Sequence, residues 1–295
     1  MKGLTTTCLL PLIAAVAAIV WFQRFFLSAG KAMEEIWPAS IAAGICSVAA
    51  VMFLLGVAAT ARERMSLRNA IGGQLPQDGN WVILAGRMKA LSPLTSPICG
   101  KQVVAYRYEM HRVGRASRSS TKVLDYSGTA LAASTIETSS GTFRLLAVPM
   151  FDMATSTVDE ADARRNAQTY VAATHFQQIE SGKGSRANLE PPQTDERGAF
   201  RLDERETKEP DLSACTLDEW VIEQNAPVCV FGRYSQTRGG IVADPNWAKP
   251  MRVMLGDAET VVAKLSARIR NYLIGFTITA GVSIAVTSAY LAHVR

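Results

Sequence analysis

Charge is scarce in this chain. Only 19% of its 295 residues are Asp, Glu, Lys or Arg, against roughly a quarter in an ordinary soluble domain, and the mean hydropathy of +0.09 is correspondingly high. Histidine is scarcer still: His111, His175 and His293 are the only three, and none stands in an HxxxH or HExxH spacing. The five cysteines (Cys8, Cys46, Cys99, Cys215, Cys229) form no CxxC pair, and two of them lie in apolar runs. A zinc site of recognisable spacing and a disulfide framework are both excluded, and a reducing compartment suits the thiols. No GxSxG elbow exists, and "SGKGSR" at 181–186 lacks the GxxxxGK[ST] spacing of a phosphate cradle. The sequence therefore assigns no catalytic residue, no metal ligand and no cofactor; nothing in it argues for an enzyme, and a hydrolase whose site the sequence does not reveal stays a third reading.

What the chain does have is long hydrophobic runs. Residues 4–22 ("LTTTCLLPLIAAVAAIVWF"), 40–60 ("SIAAGICSVAAVMFLLGVAAT") and 272–292 ("YLIGFTITAGVSIAVTSAYLA") hold most of the apolar character. The last two carry no Asp, Glu, Lys, Arg or His, and each matches the roughly 20 residues a helix needs to cross hydrocarbon. The first is either a signal peptide with Lys2 as its basic flank or an uncleaved helix. Arg24 and the bulky Phe25 and Phe26, where small residues should precede cleavage, favour the helix. Three membrane helices are expected.

Basic residues set the orientation. Arg62, Arg64 and Arg68 follow the second run, and Lys264, Arg268 and Arg270 precede the third, so the segment between them is expected on the cytoplasmic side of the cell's inner membrane. The runs have no ionisable interior residues of the kind that mark an ion path. Small residues recur at four-residue spacing in the second (Ala42, Cys46, Ala50; Ala43, Ser47) and are dense in the third (Gly275, Ala280, Gly281, Ser283, Ala285). Such faces serve close helix contact, within one chain or in a homo-oligomer.

The segment 75–265 is punctuated as β structure. Residues 80–90 read as a strand interrupted at Gly86, 103–113 as an alternating strand, 128–148 as two strands about Ser139, Ser140 and Gly141, and 227–245 as a hairpin about Gly239 and Gly240. A small barrel or sandwich of α+β type is expected. "VILAGR" (82–87) and "VCVFGR" (228–233) echo each other, which is either chance or two equivalent bends of one curved sheet. Residues 157–180 open with Thr157 and Glu160 in capping-box spacing and are rich in Ala, which predicts a helix. The polar stretch 181–211, with Pro191, Pro192 and Pro210, reads as an exposed insertion.

The most punctuated stretch is "SPLTSPICGKQVVAYRYEM" at 92–110. It resembles the signature of the GIDE domain, also called BAM for "beside a membrane", found in mitochondrial-membrane E3 ubiquitin ligases and bacterial membrane proteins. In that pattern a strand ending in glycine leads to Ser-Pro, a Gly-Lys turn and a strand with an aromatic-x-aromatic core; here these are Gly86, Ser96 and Pro97, Gly100 and Lys101, and Tyr106 and Tyr108. A second block, an acidic residue leading to "VxVxG", is similar to "EWVIEQNAPVCVFG" with Glu219 and Gly232. The resemblance covers about 80–265 and implies a β-rich module flanked by membrane helices. The ligases also carry a RING, and paired Cys/His ligands for one are missing from this sequence, so ligase activity is not implied.

Arg112, Arg115, Arg118 and Lys122 crowd "HRVGRASRSSTK" at 111–122 with no acidic residue before Asp125. They form either a solvated hairpin tip or an anion site, and beside a bilayer the nearest anions are lipid headgroups. The expected function is a membrane-anchored binding or regulatory module whose partners are lipid and an unidentified protein or small molecule, with no nucleic acid. A ligand-triggered, membrane-perturbing or pore-forming effector is the alternative.

Overall fold

The computed structural model describes residues 2–28, 33–71, 75–116, 119–152, 158, 161–178, 199–206, 212–243 and 251–292. In chain order, helices α1 (Lys2–Ser28) and α2 (Met33–Ile71) precede strands β1 (Trp81–Ala90), β2 (Leu94–Thr95), β3 (Gln102–Ala116) and β4 (Ser119–Leu131). Strands β5 (Ser134–Thr138), β6 (Gly141–Leu145) and β7 (Met150–Phe151) lead to helix α3 (Ala161–Ala173) and β8 (Gln177–Gln178). After β9 (Phe200–Arg205) come β10 (Thr216–Glu223), β11 (Pro227–Ser235), β12 (Gly240–Val242), β13 (Arg252–Leu255) and helix α4 (Ala258–Ala292). The chain divides into a helical unit, Met1–Ser66 with Val262–Arg295, and a β-rich unit, Leu67–Val261.

Two helices in the described residues are long and apolar enough to cross a membrane, over Ile36–Asn69 and Ala258–Tyr290. Two spans are shown in this way, and a third is not supported; Ile13–Ser28 of α1 is a shorter apolar helix, and the expected first span, 4–22, extends beyond the residues whose side chains are described. Inside the helical unit Ala43, Ser47, Gly275 and Ser283 of the predicted faces make close contact, whereas Gly281 has open space beside it. The Ser47 and Ser283 hydroxyls lie 2.9 Å apart, and Ser283 also donates to the Ala43 carbonyl at 3.2 Å. A Cβ on Gly44 would strike Ile19, one on Gly56 would press on the Tyr272 ring, and one on Gly275 would strike the Phe53 ring. These glycines let α1, α2 and α4 approach where side chains would hold them apart.

In the β-rich unit the expected barrel is present. Strands β1, β5, β6, β12 and β11 form a closed ring, because β1 pairs with both β5 and β11. All joints are antiparallel except β12 with β6. A second sheet runs β10-β3-β4-β9-β8. Its residues Ala105, Leu131 and Ile222 join Leu84, Met88, Ile136, Val228, Val230, Ile241 and Val253 of the first sheet in one buried cluster. The alternation read in 103–113 divides β3 between the two layers from Ala105 on: Ala105 faces the barrel, while Tyr106, Tyr108 and Met110 face α3, and Val104 joins Ala105 in the barrel cluster.

The echo of "VILAGR" and "VCVFGR" is a structural two-fold. β1 and β11 pair antiparallel with Leu84 opposite Val230, so Gly86 faces Val228 and Gly232 faces Val82. The turns before the two strands match bond for bond. Gly79 N–H donates to Tyr234 O at 2.9 Å and Asn225 N–H donates to Met88 O at 2.9 Å, from residues with φ of 77° and 61°. Arg233 Nε then donates to Gly79 O at 2.9 Å, and Arg87 to Asn225 O at 3.0 Å. At Gly86 the partner of β1 begins to change from β11 to β5, and a Cβ there would stand 2.1 Å from the Glu137 carbonyl oxygen. At Gly232 the nearest obstacle is a side-chain atom, Ile241 Cγ2. Backbone in a closed barrel yields less readily than a side chain. Gly86→Ala is therefore expected to lower stability by roughly 1–3 kcal/mol and to cost more than Gly232→Ala. Equal denaturation midpoints for the two variants would show that the bend at Gly86 has slack.

Other boundaries moved. The helix expected over 157–180 is observed as Ala161–Ala173, while Thr157 and Glu160 of the expected capping box lie outside the described residues. Residues 128–131 belong to β4, so the predicted strand pair 128–148 narrows to β5 and β6 about the Ser139–Gly141 turn. The insertion expected at 181–211 contains β9, an interior strand of the second sheet, with Phe200, Asp203 and Glu204 buried. The remainder, 181–198 and 207–211, lies outside the described residues. Its run of alternating charge hid the strand, because the buried acids are held by neighbours rather than by solvent.

Candidate functional site

Two polar arrangements meet on the face of the second sheet that α3 covers, and a third lies along its long hairpin. The first is the turn at 96–101. Gly100 has φ +68°, and the turn closes through Gly100 N–H to Ser96 O at 3.2 Å, Ser96 N–H to Lys101 O at 2.9 Å and Lys101 N–H to Ser96 Oγ at 3.2 Å. Pro97 withholds a donor, leaving the N–H groups of Ile98 and Cys99 to be satisfied. Glu219 of β10 does this with both oxygens: Ile98 donates to Oε1 at 2.9 Å and Cys99 to Oε2 at 2.8 Å. The carboxylate is 1% exposed, so its charge is held by these donors in place of water. From the other side Asn166 of α3 donates to the Ile98 carbonyl at 3.0 Å.

The second arrangement surrounds Asp203. Its Oδ1 accepts the hydroxyls of Tyr108 and Tyr170, each at 2.7 Å, and its Oδ2 accepts Arg201 Nε at 2.8 Å. The Tyr106 hydroxyl lies 3.1 Å from that of Tyr170, and the Arg201 guanidinium sits 4.9 Å over the Tyr170 ring. Burial pushes the Tyr106 phenol up to about 12, and it pushes Tyr108 and Tyr170 higher, with the Asp203 charge adding to the effect. These phenols are held protonated, as donors rather than nucleophiles. Gly128 makes room for them, since a Cβ would come within 2.6 Å of both the Tyr108 hydroxyl and Asp203 Oδ1. An open depression of about 310 Å³ adjoins the cluster and is lined by Thr174, His175, Gln177, Arg201 and Asp203 among others.

Helix α3 ties these features together. Ala163 and Ala167 are buried one turn apart and let the helix lie close to the sheet. Arg164 donates to the carbonyls of Leu212, Ser213 and Cys215, while Asn166 and Tyr170 reach the turn and Asp203.

The third arrangement concerns the basic stretch. β3 and β4 run on as one long hairpin, with Ala116 opposite Ser119, so the segment expected as a loop is mostly strand. Arg112 Nε lies 3.1 Å from Asp125 Oδ2, which the Cys215 thiol also approaches at 3.3 Å, and Asp125 is fully buried. Arg112 thus serves an internal ion pair. Arg115 stands opposite Ser120 and Lys122 opposite Val113 in the hairpin ladder, while Arg118 lies outside the described residues. Of the anion-site residues, Arg115 and Lys122 are the described positions not assigned to this internal pair.

The residues marked as family motif fall into three places. Gly86 and Gly232 bend the barrel, Ser96, Pro97, Gly100 and Glu219 build the clamped turn, and Tyr106 and Tyr108 enter the phenol cluster. Sequence reasoning missed Asn166, Tyr170, Arg201 and Asp203. The recognisable signal was the i, i+4 spacing of Asn166 and Tyr170 on an alanine-rich helix. Among the described residues no group of three or more His, Cys, Asp or Glu is placed to hold a metal. Comparison with family models, with curated proteins and with solved structures gives no match.

Proposed function

We propose that this chain is a membrane-anchored binding module of the GIDE type, presenting its β-rich unit at the cytoplasmic membrane surface. The observation that carries the reading is the Glu219 clamp. The two stretches on which the resemblance rests are far apart in sequence, yet the acid of the second takes both free N–H groups of the first. A β-rich unit between two helices able to span a membrane is the arrangement the resemblance implies. Basic residues at the facing ends of those helices favour the cytoplasmic side. The hairpin β3–β4, with Arg115 and Lys122 near its tip, is the element best suited to meet an anionic partner or surface.

A reporter inserted at Gly184 should therefore behave as cytoplasmic and one fused after Arg295 as external. External protease cleaving at 181–198 in intact cells would reverse the assignment. A photo-crosslinking residue at Arg115 should give discrete adducts in cells that fade as salt is raised, because exposed charges are screened beyond about 8 Å at physiological ionic strength. The same residue at Thr142, on the barrel, should not. If neither position gives adducts and the purified protein releases dye from liposomes, the membrane-perturbing reading replaces this one.

A further inference from the structure

The depression beside the phenol cluster lies where α3 ends: Thr174, His175 and Gln177, which follow the helix into β8, line it together with Arg201 and Asp203 of β9. Its volume of about 310 Å³ is at the small end for a ligand site. The two charged residues differ in what they have left to offer. Asp203 is 7% exposed and both its oxygens are occupied, Oδ1 by the Tyr108 and Tyr170 hydroxyls and Oδ2 by Arg201 Nε. Arg201 keeps donors in reserve. Its side chain is 51% exposed and its guanidinium is held over the Tyr170 ring; Nη2 donates to Thr174 Oγ1 at 3.3 Å, while Nη1 makes no bond among the described residues. Because the Thr174 oxygen accepts from Arg201, the hydroxyl has its own proton to donate, and the exposed Gln177 amide and His175 ring add N–H groups.

A guanidinium edge fixed in place, open to solvent and flanked by a hydroxyl and an amide calls for an oxyanion. Charge decides which kind. Asp203 balances Arg201, and the carbonyls at the C-terminal end of α3 add negative potential nearby. A dianion meets repulsion in such surroundings, whereas a single carboxylate matches the planar fork and brings only one charge. We infer that the depression binds the carboxylate of a small organic acid, with the two Nη groups of Arg201 on its oxygens and the Thr174 hydroxyl donating beside them. The site uses neither the hairpin tip nor the membrane helices, so this inference and the proposed function can fail separately.

Saturation-transfer NMR on the full chain in phosphatidylcholine nanodiscs, with empty nanodiscs as reference, tests this with benzoate, benzamide and phenyl phosphate. Benzoate should bind in the millimolar range, the neutral benzamide about tenfold more weakly, and phenyl phosphate no better than benzoate. Arg201→Lys keeps a cation beside Asp203 but loses the fork, and should weaken benzoate about tenfold. Thr174→Val, which leaves the Arg201–Asp203 pair intact, should weaken it about threefold and keeps the test decisive if Arg201→Lys disturbs the fold. Arg115→Gln, on the hairpin, should leave benzoate binding unchanged. Absence of benzoate binding at millimolar concentration, equal binding of benzoate and benzamide, tighter binding of phenyl phosphate, or undiminished binding in Thr174→Val and Arg201→Lys would each overturn the assignment.

Discussion

Glu219→Ala should strip the turn at 96–101 of its anchor and lower stability by roughly 3–5 kcal/mol, the worth of two charge-assisted bonds to buried amides. The side chain is 1% exposed and takes the N–H groups of Ile98 and Cys99 at 2.9 and 2.8 Å, so truncation leaves two donors that water does not reach freely. Glu219→Gln keeps one good acceptor oxygen and presents its amide to a donor. It should fall about midway. The local readout is amide exchange: protection over 96–101 should collapse in the alanine variant while that of the barrel strands β1 and β11 persists up to global unfolding. Unchanged exchange at Ile98 and Cys99 would mean that the turn holds itself through Ser96 and Asn166 alone.

The contrast between Glu219 and Asp203 shows what the sequence made legible. Glu219 could be singled out through the resemblance alone, as the acidic residue leading to the second block. Asp203 could not, because "RLDERE" reads as solvated charge until Arg201 is seen to neutralise it and two phenols to bond it. Gly86 and Gly232 were legible on other grounds: they interrupt strands, and interruption in a sheet implies curvature. That the two bends belong to one two-fold pair needed the register of β1 against β11. Hydrophobic periodicity separated spans from strands, since apolar runs without charge and period-two alternation are local patterns. It did not find β9, whose burial depends on partners distant in the chain. Arg112 illustrates the remaining limit. A cation in a basic run looks free until a buried acid, Asp125, appears across the hairpin.

Asp203→Ala should be as costly as loss of Glu219, roughly 3–5 kcal/mol, because it leaves Arg201 without its carboxylate and the Tyr108 and Tyr170 hydroxyls without their acceptor. Tyr108→Phe removes one donor and leaves the rest of the cluster paired, so about 1–2 kcal/mol is expected. Alkaline titration separates this cluster from a merely well-packed one. In the unfolded chain each phenol ionises near 10. In the native protein burial pushes Tyr106 up to about 12 and Tyr108 higher, so the folded state keeps protons that the unfolded state releases. Stability is therefore fully present below about pH 10 and is lost as pH rises, by about 1.4 kcal/mol per pH unit for each phenol, with the Tyr106 share exhausted near its native value. The denaturant midpoint should stay level with respect to these groups at neutral pH and fall steeply above about 10. Tyr108→Phe should start lower at neutral pH yet fall less steeply, so the two curves converge. Parallel curves, or phenolate absorbance from all tyrosines near pH 10 in the folded protein, would show that the phenols are open to solvent and that Asp203 does not organise this face of the sheet.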